Sequence, residues 1–331
     1  MTRISFCHRV FLFLCRDYKR NTGMKKKGFI EGMREYVALL QKEQRFSTAK
    51  SYLDALRSFV RFKATEEIAY KEITKTCLHE YELYLQKAGR SRNTISTYMR
   101  RLRCIYNRAV EKEEAPYIPN LFSGVFTGIE SRRKRSLPLK ELHRLMTVPV
   151  KEPRLRKTQL AVCLMFQYGG MSFADFAHLK SENVRDNILS YQRQKTGTSI
   201  RLEVLRSANA MQQELSRRTS HSSQYLMPFL SGTQKGEAAY LEYQNALQQF
   251  NRNLKTLKTR AGIKNPVTSY SIRHSFANQL KEQQVPIEII SELLGHQSIR
   301  TTQIYLRSFS LDKLTKVTND CFRKVYMYKE K

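Results

Sequence analysis

The stretch from Thr268 to Arg307, TSYSIRHSFANQLKEQQVPIEIISELLGHQSIRTTQIYLR, holds three groups that could act together on a phosphate: the guanidinium of Arg273, the imidazole of His296 and the phenol of Tyr305. Breaking a phosphodiester without a metal needs a nucleophile, a proton donor for the departing oxygen, and fixed positive charge at the nonbridging oxygens. A phenol can supply the first and a guanidinium the last. Taken singly, each has an ordinary reading, as a solvated charge, a residue closing a helix, or a packing aromatic. Their order and spacing within one short segment carry the chemical reading.

The elements that must position these groups are helical. Ile272, Phe276 and Leu280 recur at helical spacing, which leaves Tyr270, Arg273 and Ala277 on a neighbouring face. Pro286 suits a first helical position, Ile289, Ile290, Leu293 and Leu294 form an apolar stripe, and Gly295 suits the residue just past a helix end. His296 then follows a helix terminus. Ser298 is placed to cap a further short helix that carries Tyr305 in its second turn.

With 331 residues the chain has room for about two domains, each with its own core. Lys and Arg number 59 against 29 Asp and Glu, a formal net charge of +30. Such an excess favours a polyanionic partner, through phosphate neutralisation and counterion release. No run of about 18 apolar residues exists to span a bilayer, so no membrane role is expected. Cys7, Cys15, Cys77, Cys104, Cys163 and Cys321 are scattered without a C-x-x-C, and the histidines include no H-E-x-x-H. Neither a metal site nor a disulfide framework is indicated, and a reduced, cytoplasmic protein without cofactors is expected.

Arg-His-Ser-Phe-Ala from Arg273, followed by Leu-Leu-Gly-His-x-Ser-Ile-x-Thr-Thr-x-x-Tyr ending at Tyr305, resembles the signature of the tyrosine recombinases, the phage-integrase family. The resemblance implies a two-domain clamp around double-stranded DNA, with Tyr305 as the nucleophile that becomes joined to a 3′ phosphate. It implies that Arg273 neutralises charge on the phosphate and that His296 hydrogen-bonds it. Lys195, in a predicted strand and turn similar to the family's β-hairpin lysine, is implied as general acid for the leaving 5′ oxygen. No metal and no ATP are needed on this reading. It further implies a homotetramer on two DNA sites, formed by passing the segment after Tyr305 to a neighbour, with a DNA-bending protein as a candidate accessory partner.

Two positions depart from the family pattern. Three residues before Arg273, where the family usually has His, stands Tyr270, a phenol that can donate to phosphate but is a poor base near neutrality with its pKa of about 10. Tyr here resembles a subgroup from mobile elements and invertible segments of anaerobic gut bacteria. The first family Arg normally follows a G-[LM] pair, and after Gly170-Met171 the chain has Ser172 instead. Losing a guanidinium from such a site costs transition-state stabilisation unless another cation enters from elsewhere; Arg193 and Arg201 on the predicted hairpin are the candidates.

Taken in order, residues 1–27 form an extension with a short apolar run from Val10 to Cys15 and no assigned function, Met24 being an alternative start. Residues 28–115 predict four amphipathic helices, the second capped by Ser47 or Thr48 and the fourth by Asn93; the arrangement resembles the SAM-like core-binding domain of the family. Arg90, Arg92, Arg100, Arg101 and Arg103 form its densest basic cluster and are assigned to DNA, since acidic partners four residues away are missing. Residues 116–136, with Pro116, Pro119, Gly124 and Gly128 before Arg132, Arg133, Lys134 and Arg135, predict a basic linker along the phosphate backbone. Residues 137–331 predict an α-rich catalytic domain with a small antiparallel sheet. Its strands are expected over 187–195 and 199–204 around Thr196-Gly197-Thr198, its helices near 158–168, in Met171–Lys180, near 208–218 and 240–259, and a last helix over 311–325.

Site-specific recombination, by an integrase or invertase, is the leading expectation. The alternatives are a DNA-binding and synapsis protein with weakened catalysis, supported by Ser172, and a type IB topoisomerase-like enzyme, disfavoured by the short segment after Tyr305.

Overall fold

The computed structural model describes residues 28–130, 136–217, 224–306, 315 and 318–320. The architecture is mainly helical with one three-stranded antiparallel sheet, and the chain divides into two compact units with the boundary between Ser131 and Arg132. Among the described residues no helix is long and apolar enough to cross a membrane, and no group of three metal-ligating side chains occurs.

The first unit contains α1 (Phe29–Lys42), α2 (Phe46–Lys63), α3 (Lys75–Lys87) and α4 (Arg92–Glu111). Each buries one apolar stripe, and the four stripes meet around an aromatic centre in which Phe59 packs edge-on against Phe29 at 5.7 Å and Tyr81 at 4.9 Å. Helix α4 starts earlier than Asn93. Ser91 has extended backbone and its Oγ accepts the Thr94 N–H at 3.3 Å, so the cap is already supplied. Asn93 is thereby freed to reach a distant partner. Its Nδ2 donates to the Glu130 carbonyl at 2.8 Å and its Oδ1 accepts the Glu130 N–H at 3.0 Å. Helix α2 likewise starts at Phe46 with no side-chain cap from Ser47 or Thr48.

Residues 116–130, expected to begin the linker, pack on the first unit instead. Leu121, Phe122 and Val125 join its core, Glu82 accepts the Phe126 N–H at 3.0 Å, and Ser96 donates to the Gly128 carbonyl at 2.6 Å. Turn residues mark the irregular backbone there, whereas the three apolar side chains between them decide where it lies. Arg132, Arg133, Lys134 and Arg135 lie outside the described residues, as do residues 1–27.

The second unit contains α5 (Leu139–Thr147), α6 (Pro153–Gln167), α7 (Phe173–Ala177), β1 (Val184–Arg185), β2 (Ile188–Gln192), β3 (Ser199–Glu203), α8 (Arg206–Arg217), α9 (Gly236–Arg260), α10 (Ser269–Glu282), α11 (Ile287–Leu293) and α12 (Ile299–Tyr305). Helix α6 is the centre: the run Leu160, Ala161, Val162, Leu164 and Met165 is apolar on all sides, and α5, α8, α9 and α10 pack around it. The strands run in the order β1-β2-β3, and Leu189↔Leu202 and Tyr191↔Ile200 set the register that turns Leu189, Tyr191 and Ile200 into the core. The two residues of β1 are too few to carry an alternation, and no strand is predicted there. Of the helix expected over 311–325, residues 315 and 318–320 are described, and they are helical; the remainder lies outside the described residues.

Candidate active site

Arg273 is carried by α10 and is fully buried, as are Ile272 and Ala277 on the same helix. The expectation that Arg273 and Ala277 occupy a face apart from the core is corrected: α10 packs on α6, α9, α11 and α12, so apolar spacing on one face does not leave the next one exposed. An arginine tolerates that position because both of its terminal nitrogens are paired. Nη1 donates to the Gly170 carbonyl at 3.1 Å, and Nη2 donates to the Leu294 carbonyl and lies 3.4 Å from Nε2 of His296. The guanidinium thus ties α10 to the loop before α7 and to the end of α11.

That end is shaped by Gly295, which follows Leu294 with φ +59° in the left-handed region that ends many helices. Pro286 caps α11 from outside instead of occupying its first position. His296 comes next. Its Nδ1 lies 2.8 Å from Oγ1 of Thr302 on α12, and the neutral tautomer that fits both contacts carries its hydrogen on Nδ1 and accepts from Arg273 at Nε2. Burial, then the charges of Arg273, Arg193 and Lys195, push the imidazole pKa down to about 4, so it is neutral near pH 7. Thr302 is fully buried; it belongs to the Thr-Thr pair of the motif, yet nothing in its residue type points to the site.

Tyr305 closes α12, the helix that Thr302 tethers to His296; its side chain lies outside the described residues. Tyr270, in the first turn of α10, is 44 % exposed and meets the His274 ring edge-on at 5.1 Å. Lys195 lies in the turn between β2 and β3, not at the end of a strand. Pairing stops early because the Arg193 carbonyl accepts the Gly197 N–H at 2.8 Å and closes a tight turn. Gln297 donates to the Thr196 carbonyl at 3.2 Å, which brings this turn against the loop that carries His296.

Ser172 caps α7: its Oγ accepts the Asp175 N–H at 3.2 Å and donates to Asp175 Oδ2 at 2.7 Å. Asp175 is buried, and its Oδ1 accepts the Gln194 N–H of the hairpin at 2.8 Å. Arg193 is also buried, with Nε 3.6 Å from Asp175 Oδ2, whereas Arg201 is exposed on β3. The contacts of Asp175 with the hairpin carry no sequence signal, since Arg193 and Gln194 are far along the chain.

Guanidinium, imidazole and a cationic hairpin around the approach to a tyrosine-bearing helix form a site suited to an anionic phosphodiester. Residues 135–311 match the phage integrase family profile, and residues 28–120 match the phage integrase SAM-like domain. The chain belongs to the phage integrase family. Among curated relatives it is 26 % identical over 281 residues to the tyrosine recombinase XerA of Pyrococcus furiosus, covering 84 % of this chain and 89 % of that one. A segment of 58 residues, 18 % of this chain and 20 % of the relative, is 45 % identical to the tyrosine recombinase XerD of Listeria monocytogenes. In fold it is similar to the Tn1549 transposon integrase solved with circular intermediate DNA, with a TM-score of 0.63 at 11 % identity over 89 % of this chain and 99 % of that one.

The SAM-like unit of this integrase-family chain splits its arginines between two faces of α4. Arg92, Arg100 and Arg103 lie within about 80° of one another around the axis, at roughly 100° per residue, and all three are exposed. Arg101 is on the opposite side, where its Nε donates to Ser51 Oγ at 3.1 Å and its guanidinium lies over the Tyr52 ring at 4.7 Å. Replacing Arg92, Arg100 and Arg103 together by alanine is expected to lower the slope of log affinity for duplex DNA against log salt by roughly 2–3. Arg101→Ala alone should leave the slope unchanged and lower the melting midpoint. Fluorescence anisotropy across a salt series checks this, and an unchanged slope in the triple variant would show that its face is merely solvated.

Proposed function

We propose that this site-specific tyrosine recombinase cuts and rejoins DNA through a covalent bond between Tyr305 and a 3′ phosphate, and that it works as an integrase or invertase of a mobile element. The observation that carries this reading is the Arg273–His296 contact, held by the motif residues that lead through Thr302 into the helix of Tyr305. In the proposed step the Tyr305 oxygen bonds to phosphorus, its proton passes to water, and the bond to the 5′ oxygen breaks. The electron pair goes to that oxygen, which takes a proton from Lys195; support for this role is that the turn carrying Lys195 meets the loop of His296 through the Gln297–Thr196 hydrogen bond. Arg273 supplies fixed positive charge as the phosphate becomes more anionic, and neutral His296, accepting from Nη2, steadies that guanidinium. Because the tyrosyl ester conserves the phosphodiester energy, a second 5′ hydroxyl can reverse the step on another strand. The site's Tyr270 and the family membership favour a mobile-element subgroup, a homotetramer on two DNA sites and action in the cytoplasm.

A second reading, a protein that binds and synapses DNA without efficient cutting, is favoured by Ser172, which brings no charge to the site. One experiment separates the two. Full-length protein is incubated with nicked duplexes tiled across the DNA flanking its coding sequence, and SDS-resistant adducts are scored. The wild type is expected to form an adduct on at least one duplex, and Tyr305→Phe to form none while binding that duplex equally well. An adduct that persists in Tyr305→Phe removes Tyr305 from the chemistry; salt-sensitive binding with no wild-type adduct on any duplex establishes the binding reading.

A further inference from the structure

We propose that Arg193 is a catalytic guanidinium of this site, meeting a nonbridging oxygen of the scissile phosphate beside Arg273 and supplying the charge that Ser172 does not. The inference rests on the functional reading above and names the residue that completes it.

Three observations converge on Arg193. It is only 7 % exposed, yet its donors are incompletely used: Nη1 donates to the Gly295 carbonyl at 3.0 Å, while Nε has no hydrogen-bond acceptor. A buried, unsatisfied donor on a charged group needs an explanation, and an anionic ligand that binds there provides one. Asp175 does not use it up. The two are an ion pair at 3.6 Å without a hydrogen bond, and the closer donors to the Asp175 oxygens are Ser172 Oγ and the Gln194 N–H. Ser172 therefore contributes indirectly, by holding the carboxylate that steadies Arg193.

The second observation is steric. A Cβ on Gly295 would lie 2.6 Å from Cδ of Arg193 and 2.9 Å from Cδ1 of Ile200. The absent side chain at Gly295 leaves a channel through which the Arg193 stem passes beneath the loop that carries His296. The third is electrostatic. Arg273, Arg193 and Lys195 all act on the same imidazole and disfavour its charged form. Gathering three cations around one partly buried group is offset only in part by Asp175 beside Arg193, and becomes more favourable when a phosphate occupies the space between them. Arg201, the other cation of the hairpin, is exposed and is not among the charges that act on His296.

The test uses the duplex that the wild type cleaves, made in two forms: with its normal scissile phosphate, and with one nonbridging oxygen replaced by methyl, which removes the charge Arg193 is proposed to neutralise. Arg193→Ala is expected to slow adduct formation about 100-fold or more on the phosphate duplex, and to come within about tenfold of the wild type on the methylphosphonate. Arg193→Gln, which keeps the stem as far as Cδ and a donor near the place of Nε without the charge, should behave alike and serves if the alanine variant does not fold; melting midpoints are read in parallel. Equal loss on both substrates, or no rescue by the methylphosphonate, would make Arg193 a structural residue and overturn the inference while leaving Tyr305 chemistry intact. Unchanged cleavage of the phosphate duplex would overturn it as well. A wild type that forms no adduct at all overturns the functional reading, and this one with it.

Discussion

Arg273→Ala is expected to lower the rate of covalent adduct formation by about 10²–10³-fold while leaving most of the DNA affinity, because many phosphates share the binding energy and Arg273 addresses only one of them. The variant should also melt earlier than the wild type. Arg273 is fully buried and holds the carbonyls of Gly170 and Leu294, and each carbonyl orphaned by the change costs about 1–3 kcal/mol. Arg273→Lys separates the two effects: it keeps a positive charge, but a single ammonium cannot span both carbonyls in the fixed fork of a guanidinium. Lysine is therefore expected to recover part of the cleavage rate and little of the stability. Nicked-duplex adduct assays, equilibrium binding and thermal melts on the same preparations check this. A parallel fall of affinity and cleavage in Arg273→Ala would assign the residue to general DNA binding.

Gly170→Ala is expected to be strongly destabilising. Gly170 has φ +66°, where a Cβ costs about 1–2 kcal/mol. A Cβ there would also lie 2.8 Å from Cβ of Phe276 and 2.9 Å from its ring, atoms fixed by α10, which adds about 1–3 kcal/mol of overpacking. Together these predict a drop of roughly 5–15 °C in the melting midpoint of the second unit, and a loss of cleavage beyond it, since the carbonyl that orients Arg273 must shift. Gly169→Ala is the comparison. Its φ is +71°, but an added Cβ would meet only the Leu293 carbonyl oxygen at 3.4 Å and Leu202 Cδ2 at 3.5 Å. It should therefore show the conformational cost alone. Equal midpoints for the two variants would show that Phe276 yields, and that the pairing of α10 with this loop is looser than the contacts imply.

How far the site can be read from residues alone differs between its parts. Arg273, His296 and Tyr305 stand in a fixed order on elements whose apolar spacing and punctuation, with Pro286 before α11 and Gly295 after it, are local properties. Such signals survive in one dimension because helix periodicity and left-handed backbone depend on neighbours within a few residues. The same reasoning places helix starts within a few residues and errs where two candidates compete, as at Ser91 and Asn93, because the residue not needed for the cap is free for a distant partner. Residues 116–130 carry Pro and Gly punctuation that reads as a linker, whereas Leu121, Phe122 and Val125 bury against helices much earlier in the chain.

The chain's own residues determined its polyanion preference, its helical class and the trio of guanidinium, imidazole and phenol, since net charge, periodicity and motif spacing need no partner to be legible. Only the tertiary structure decided that Arg273 is wholly enclosed, that Arg193 and not Arg201 turns inward, and that Ser172 is bonded to an Asp175 that also meets the hairpin. The physical reason is that burial and hydrogen-bond satisfaction are properties of where the chain returns to itself. Arg193 meets the Gly295 carbonyl across 102 residues, and no local pattern at either position records that meeting.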